Sequence, residues 1–473
     1  MKNPLKLKKI LNFISVKNPK LVYKIFISFL YLSGPILGYG QENSFFEKTK
    51  IQQKINEARH NFVQGNVKSA LLNYKEVIAL NPSNLKAEYG LAECYYKLQN
   101  YKKAKFHGEK AFQADPKVDD EILYLLGRTY FRLNELEKAK KKFSQFREIT
   151  KSKSKLEDYG INLKLAQIAY SEKAKINENI VIENMGNILN SSAPEFAPAI
   201  SNDGKYLVFT SRRPDTKGGG VDHYFDHNYF SDMYLSKWDP NTKSWSEPSN
   251  LLGKMNTEFH DGNLSFTADN SILIYRNIYN VTRSGDIYQS SYGGDGSWGT
   301  PKPILHRDKA ISQKINSSYF ESSASITADE KYIYFVSERP TGKGQTDIYY
   351  VEKKGKSYTD PIPVGDHINT AGDEKCVFIH PSGKVLFFTS NGRSESMGSY
   401  DIYYCTQGEN GQWDNPVNMG APINTSLEEK TINVSVDGKT AYIGAYYDIK
   451  NQGDADLYKI DISSFNFNVD KIK

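Results

Sequence analysis

The chain has 473 residues, too many for one ordinary domain, and its 33 tyrosines and 24 phenylalanines favour a large β component. Its formal charge is +6, yet residues 1–40 hold seven lysines and no acid, so the remainder sums to −1 and a basic isoelectric point offers no case for nucleic-acid binding. Three cysteines, Cys94, Cys376 and Cys405, are too few for a disulfide framework.

Residues 1–40 read as a cleavable secretory signal. A lysine-rich lead precedes the apolar run Ile25-Phe26-Ile27-Ser28-Phe29-Leu30-Tyr31-Leu32, and Gly38-Tyr39-Gly40 puts small residues at −3 and −1 of a cut after Gly40. An uncleaved membrane anchor is the alternative, although the apolar core is short for a span and Pro35 interrupts the segment beyond it. No cysteine lies near the cut to carry a lipid. Past the cut the charge is divided: residues 41–175 carry 26 basic and 17 acidic groups, residues 176–473 carry 28 and 38. Two domains of opposite sign are expected, attracting each other or different partners, with salt altering their mutual contact.

From residue 54 to about 150 the chain repeats with a period of 34 residues. Ala70, Tyr74 and Pro82 return as Ala104, Gly108 and Pro116. Ala58 and Asn61 answer to Ala92 and Tyr95 and then, after one inserted residue, to Gly127 and Tyr130; Ala139 and Phe143 continue the series. Small residues let paired helices approach, aromatics fill the groove between pairs, and proline ends each second helix. The pattern resembles the tetratricopeptide repeat, with three units, although no Trp opens any unit and the third lacks its closing proline. Leu156, Ile161, Leu165, Ile168 and Ala169 predict a capping helix within 155–174 that covers the last unit, making 41–175 one helical domain. Such solenoids hold a peptide or a partner domain in their groove; a spacer or docking pad is the plainer role. The run Lys138, Lys140, Lys141, Lys142 reads as a solvated helix face.

A second repeat comes next. Asp232-Met233-Tyr234, Asp286-Ile287-Tyr288, Asp347-Ile348-Tyr349, Asp401-Ile402-Tyr403 and Asp456-Leu457-Tyr458 each start a β-rich run. Ahead of each stands a hairpin signal (Asp203-Gly204-Lys205, Asp269-Asn270-Ser271, Asp329-Glu330-Lys331, Ser382-Gly383-Lys384, Asp437-Gly438-Lys439), and ahead of that an acid: Glu195, Asp261, Glu321, Glu374 and Glu429. Trp245-Pro248, Trp298-Pro301 and Trp413-Pro416 mark the neighbourhood of a fourth strand. Four short strands five times over predict a five-bladed β-propeller across 176–465, with a tail at 466–473. The last unit lacks a fourth strand, and "ENIVIENMGNILNSSAPE" ahead of the first supplies it, so strand 178–184 is expected to close the ring. The fold class is thus α + β, an α-solenoid followed by an all-β propeller. The phrases Ser201–Lys205, Phe209–Arg213 and Asp232–Tyr234 resemble TolB-type, WD-like repeats; Tyr275-Arg276 and Ile443-Gly444 depart from them in blades two and five.

Five equivalent aspartates argue against a single catalytic carboxylate. In blades one, three and four the sets Glu195–Arg213–Asp232, Glu321–Arg339–Asp347 and Glu374–Arg393–Asp401 converge on one rim. There, carboxylates can accept main-chain N–H bonds and an arginine can bridge two of them. These residues, with Asp261, Asp286, Asp456 and Glu429, read as structural pegs; ligand binding at the rim is the alternative. Cys376 and Cys405 lie two strands apart in one blade, too far to pair, and with Cys94 read as small buried apolar groups. The blade-one insertion "RPDTKGGGVDHYFDHNYFSD" holds Asp222, His223, Asp226 and His227 as weak metal ligands, though its glycines favour an aromatic protein-contact loop. No nucleophile elbow, Cys/His pair or phosphate loop points to catalysis or a cofactor.

Helical repeats followed by this propeller resemble the PorE-type envelope proteins of type IX secretion, where an OmpA-like peptidoglycan-binding domain follows the propeller. This chain ends at Lys473, so that activity is not carried over. The resemblance implies a periplasmic, non-enzymatic scaffold at the outer membrane, reaching the membrane through protein partners such as envelope or secretion-complex subunits. A propeller-based sensor or enzyme acting on a sugar or peptide, and a TolB-like partner of a Pal-type lipoprotein, are the rivals.

Overall fold

Helices joined by short turns run from Gly38 to Ser171 in the computed structural model, which describes residues 38–217, 220–222, 228–250, 254–277, 285–447, 451–453, 455–467 and 469. The leader therefore lies outside the described residues except for Gly38–Gly40. The helices are α1 (Gly38–Val63), α2 (Val67–Leu80), α3 (Leu85–Lys97), α4 (Tyr101–Ala114), α5 (Ile122–Arg132), α6 (Leu136–Ile149), α7 (Lys153–Asp158) and α8 (Ile161–Ser171). Asn84 and Asn100 cap α3 and α4, each accepting from the N–H three residues on. The expected close approaches are present: a Cβ on Gly90 would run into the Tyr74 ring, and one on Gly127 would lie 2.7 Å from the Phe143 ring. One core joins Ala58, Ala70, Tyr74 and Leu91; a second joins Leu126, Phe143 and Phe146 to Ile161 and Ile168 of α8. No described helix is long and apolar enough to cross a membrane.

Five antiparallel sheets follow, each with strands a, b, c and d. Strands a to c are Glu195–Ile200, Tyr206–Ser211 and Asp232–Asp239 in blade one, and Asp261–Phe266, Ile272–Asn277 and Gly285–Ser290 in blade two. They are Glu321–Ile326, Tyr332–Ser337 and Asp347–Lys354 in blade three, Glu374–Ile379, Val385–Ser390 and Asp401–Thr406 in blade four, and Asn433–Val434, Thr440–Ala445 and Asp456–Asp461 in blade five. Strands Tyr206–Ser211 and Val385–Ser390 are buried along their whole length, because each blade is sandwiched between neighbours and both faces must be apolar. The turn signals work through side chains: Asp203, Asp329 and Asp437 each accept from the hydroxyl two residues before and the N–H two residues after.

Blade five takes its d strand from ahead of blade one. Ile182–Asn184 pairs antiparallel with Asp456–Asp461, Ile182 opposite Ile460 and Asn184 opposite Tyr458. Trp245 sits on the fourth strand of blade one, Ser244–Trp245, opposite Trp238, but in blades two and four the tryptophan lies one step earlier than that strand. Trp298 faces Tyr292 and Trp413 bridges Gln407 within the c–d hairpins, whereas strand d is Lys302–Pro303 or Val417–Asn418, after Pro301 or Pro416. Proline has no N–H for the ladder, so pairing with strand c resumes beyond it.

The helical domain rests on the rim of blades four and five. Arg132 Nη2 meets Glu428 Oε1 at 2.7 Å, Gln167 Nε2 donates to Arg393 O at 3.1 Å, and Ser171 Oγ to Met397 O at 3.2 Å. The main-chain N–H of Asn177 donates to Ala421 O. One ion pair and several hydrogen bonds to main-chain carbonyls thus span the joint.

Candidate functional site

The rim is built from one phrase repeated at every blade boundary: Asn, then Ser or Thr, then an acid four residues later. It occurs as Asn190-Ser191-Glu195, Asn256-Thr257-Asp261, Asn316-Ser317-Glu321, Asn369-Thr370-Glu374 and Asn424-Thr425-Glu429. In each, the acid accepts both the N–H and the hydroxyl of that Ser or Thr. Each asparagine reaches back to the preceding blade. Its side chain accepts the N–H and donates to the C=O of the residue after the strand-c aspartate: Leu457, Met233, Ile287, Ile348 and Ile402. A side-chain amide thus completes the ladder where the chain leaves one blade for the next. Reading the acids alone missed these asparagines, although the phrase stands in the sequence at the same five places.

The arginines differ from blade to blade. Arg213 contacts Glu195 at 3.1 Å and donates to Leu189 O; Arg339 contacts Glu321 at 3.2 Å and donates to Ile315 O. Each joins its acid to a main-chain carbonyl rather than to a second carboxylate. Arg393 donates to the carbonyls of His367 and Ile368, leaving Glu374 to Thr370 and Ser390. Blade two, which lacks the Ser-Arg pair, uses Arg276 from strand b itself: it contacts Asp261 at 2.8 Å and donates to Met255 O. The guanidinium groups also lie 4.9 Å from the Tyr234 ring, 5.0 Å from Tyr288, 5.0 Å from Tyr349 and 5.3 Å from Tyr403, the tyrosines of the repeated phrase.

The strand-c aspartates hold the b–c loops. Asp347 accepts from the N–H groups of Lys343 and Gly344, Asp401 from Met397 and Gly398, Asp456 from Gln452 and Gly453, and Asp232 from Lys217. Asp401 and Asp456 also accept from Asn418 and Asn184 on their d strands. Asp286 stands at the head of its strand, next to a loop that lies outside the described residues. Burial pushes the carboxyl groups of Glu195, Asp261, Asp286, Glu321 and Asp401 upward, Asp232 to about 6, Glu374 to about 7 and Glu429 to about 8. Of the five acids ahead of strand a, Glu195, Asp261 and Glu321 each meet an arginine, while Glu374 and Glu429 meet none among the described residues.

One polar cluster does not repeat. His260 Nε2 lies 3.1 Å from Asp222 Oδ2, and its Nδ1 lies 3.0 Å from Ser231 Oγ. The residue types match a hydrolytic triad, but Nδ1 also accepts the main-chain N–H of Ser231 at 3.1 Å. The Ser231 hydroxyl donates to Asp261 O, as the equivalent Thr346 hydroxyl donates to Glu374 O, so the serine ties adjacent blades. Ser231 is only 7% exposed, too enclosed for a substrate to reach. His223, Asp226 and His227 lie outside the described residues; among those described, no group of His, Cys, Asp and Glu is placed to hold a metal ion. Cys94, Cys376 and Cys405 are buried thiols. A cleft of about 710 Å³ opens between the domains, lined by Tyr101, Lys102 and Arg132 on one side and Ser426, Leu427 and Tyr446 on the other.

Helical repeats docked on a five-bladed propeller define a two-part class of architecture. Family models of the tetratricopeptide repeat match residues 63–107 and 121–149. Among solved structures the helical part is similar to YrrB, described as a tetratricopeptide-repeat protein with an unusual peptide-binding site, at 22% identity over 25% of this chain and 59% of that one (TM-score 0.23). It is also similar to the Yersinia enterocolitica type III secretion chaperone SycD in complex with a YopD peptide, at 15% identity over 26% of this chain and 94% of that one (TM-score 0.24). A larger stretch is similar to a structure described as a glycoside hydrolase, at 13% identity over 62% of this chain and 94% of that one (TM-score 0.40). No curated protein matches the chain.

Proposed function

We propose that this chain is a non-enzymatic scaffold that binds protein partners. One observation carries the reading: the repeated acids and asparagines of the rim are spent on holding loops and blades, while the docked domains leave an open cleft walled by both. The finer placement follows the resemblance of the layout to PorE-type proteins: the periplasm, at the outer membrane, in type IX secretion or gliding machinery.

A second reading is a propeller-based sensor or enzyme acting on a sugar or peptide. Capture of partners from chemically cross-linked envelopes separates the readings. Outer-membrane secretion subunits on the bait support the scaffold, and a Pal-type lipoprotein supports a TolB-like role. Neither partner, together with hydrolase activity of the purified protein, supports the enzyme.

A further inference from the structure

Aromatic rings from the c–d hairpins wedge the seams between blades. Trp298 of blade two lies 5.6 Å from Tyr206 of blade one, and Trp413 of blade four lies 6.1 Å from Tyr334 of blade three. Among the described residues blade five has no such hairpin, because its fourth strand, Ile182–Asn184, comes from ahead of blade one. The chain beyond its strand c supplies the missing wedge. Phe467 lies 5.3 Å from Phe387 and 5.0 Å from Tyr404 of blade four, and Phe465 lies 5.8 Å from Tyr404. Phe387 is the third residue of its strand b, as Tyr334 is in blade three, so the two wedges meet equivalent positions.

This wedge is a short strap. A single 3-10 turn, Ser463–Phe465, leads to Asn466 in the left-handed region at φ 47°. The reversal lays the Phe465 and Phe467 rings face to face, 5.6 Å apart with planes 4° from parallel. Val469 closes over the a–b turn of blade five, where a Cβ on Gly438 would lie 2.8 Å from Val469 Cγ2. The strap is held differently from the strand that closes the ring. Ile182–Asn184 is bound to Asp456–Asp461 by a ladder. The strap's N–H groups stay local among the described residues: Ser463 donates to the Asp461 carboxylate, Phe465 to Ile462 O, Asn466 to Ser463 O and Val469 to Phe467 O. None reaches blade four, where side chains alone make the contact. Phe465 and Phe467 stay partly exposed while Phe387 beneath them is fully buried. An apolar contact without a ladder can open while the sheets stay intact.

We propose that this strap is the releasable occupant of an aromatic docking groove between blades four and five, floored by Phe387 and Tyr404 and fitted to two aromatic side chains one residue apart. Tethered to the groove, the strap sits there at high effective concentration and closes it to free segments of the same pattern until it lifts. The groove goes beyond the scaffold reading and does not depend on the cleft between the domains.

Two measurements on the full-length chain test it. The first vacates the groove with the double variant Phe465→Ala/Phe467→Ala and titrates in a fluorescent peptide of residues 463–469. The variant is expected to melt at a lower temperature than the parent, to bind the peptide saturably in anisotropy, and to regain melting temperature on binding. The parent, its groove already filled, is expected to bind at least about tenfold more weakly. A peptide with both phenylalanines replaced by alanine is expected to bind neither protein, and near-ultraviolet circular dichroism reports the fold of each. The second measurement needs no variant and decides the matter if the double variant fails to fold. In hydrogen exchange of the parent, the amides of Phe465 and Asn466 are expected to exchange at least about tenfold faster than those of Tyr458–Ile460 in the ladder. A folded variant that ignores the peptide, equal binding by parent and variant, equal binding of the alanine peptide, or strap amides as protected as the ladder would overturn the proposal.

Discussion

Glu429 and Glu195 hold the same position in two blades but keep different company. Glu195 accepts from Ser191 and Ser211 and lies 3.1 Å from Arg213, whereas Glu429 accepts from Thr425 and has no arginine beside it among the described residues. Burial pushes Glu429 up to about 8, with the Asp401 charge adding to it. A carboxyl whose folded pKa exceeds its ordinary value of 4.5 stabilises the fold at low pH, and that contribution is lost as pH rises from about 4.5 through 8. Glu429→Gln is therefore expected to match the parent in stability near pH 5 and to exceed it at pH 8, as read from urea denaturation at the two pH values. Equal pH slopes would show that Glu429 is not the titrating group. At this scale the repeated aspartates and acids were legible, because a peg must recur wherever its loop recurs. Arg276 was not, since it reaches the same place from a different register position, one strand residue facing Asp261 directly.

Within elements, close packing sets the tolerances. Gly127 sits where the Phe143 ring crosses α5, and Gly444 sits where a Cβ would lie 2.5 Å from Phe196 Cα of the neighbouring blade. The absence of a Ser-Arg pair in blade five thus has a steric counterpart: strand b is crowded by blade one at its end. Gly127→Ala is expected to destabilise the helical domain by roughly 1–3 kcal/mol through overpacking, seen as a lower first melting transition at 222 nm with the propeller transition unmoved. The helices and strands themselves were readable from periodicity, because a 34-residue helical repeat and a hairpin repeat each reflect local backbone geometry together with burial. The Trp-Pro phrase marked only the neighbourhood of strand d, which begins at Ser244 before Pro248 in blade one and at Lys302 or Val417 beyond Pro301 or Pro416 in blades two and four.

For the whole molecule the joint is decisive. Arg132 is 9% exposed and Glu428 24%, so Glu428→Gln is expected to weaken docking by roughly 1–3 kcal/mol, between the values for exposed and fully enclosed pairs. A larger radius of gyration in small-angle scattering would report it. The parent's scattering is expected to change little between low and high salt, because neutral bonds from Gln167, Ser171 and Asn177 share the joint. The amino-acid order alone specified the repeats, five blades and a closing strand borrowed from beyond the helices, since each unit carries its own turns and apolar pattern and the unmatched strand had one place to go. Which residues meet at the joint, Arg132 with Glu428 and Gln167 with the Arg393 carbonyl among them, only the folded protein could decide. Those contacts depend on how two separately folded bodies lie against each other, and no local period encodes that.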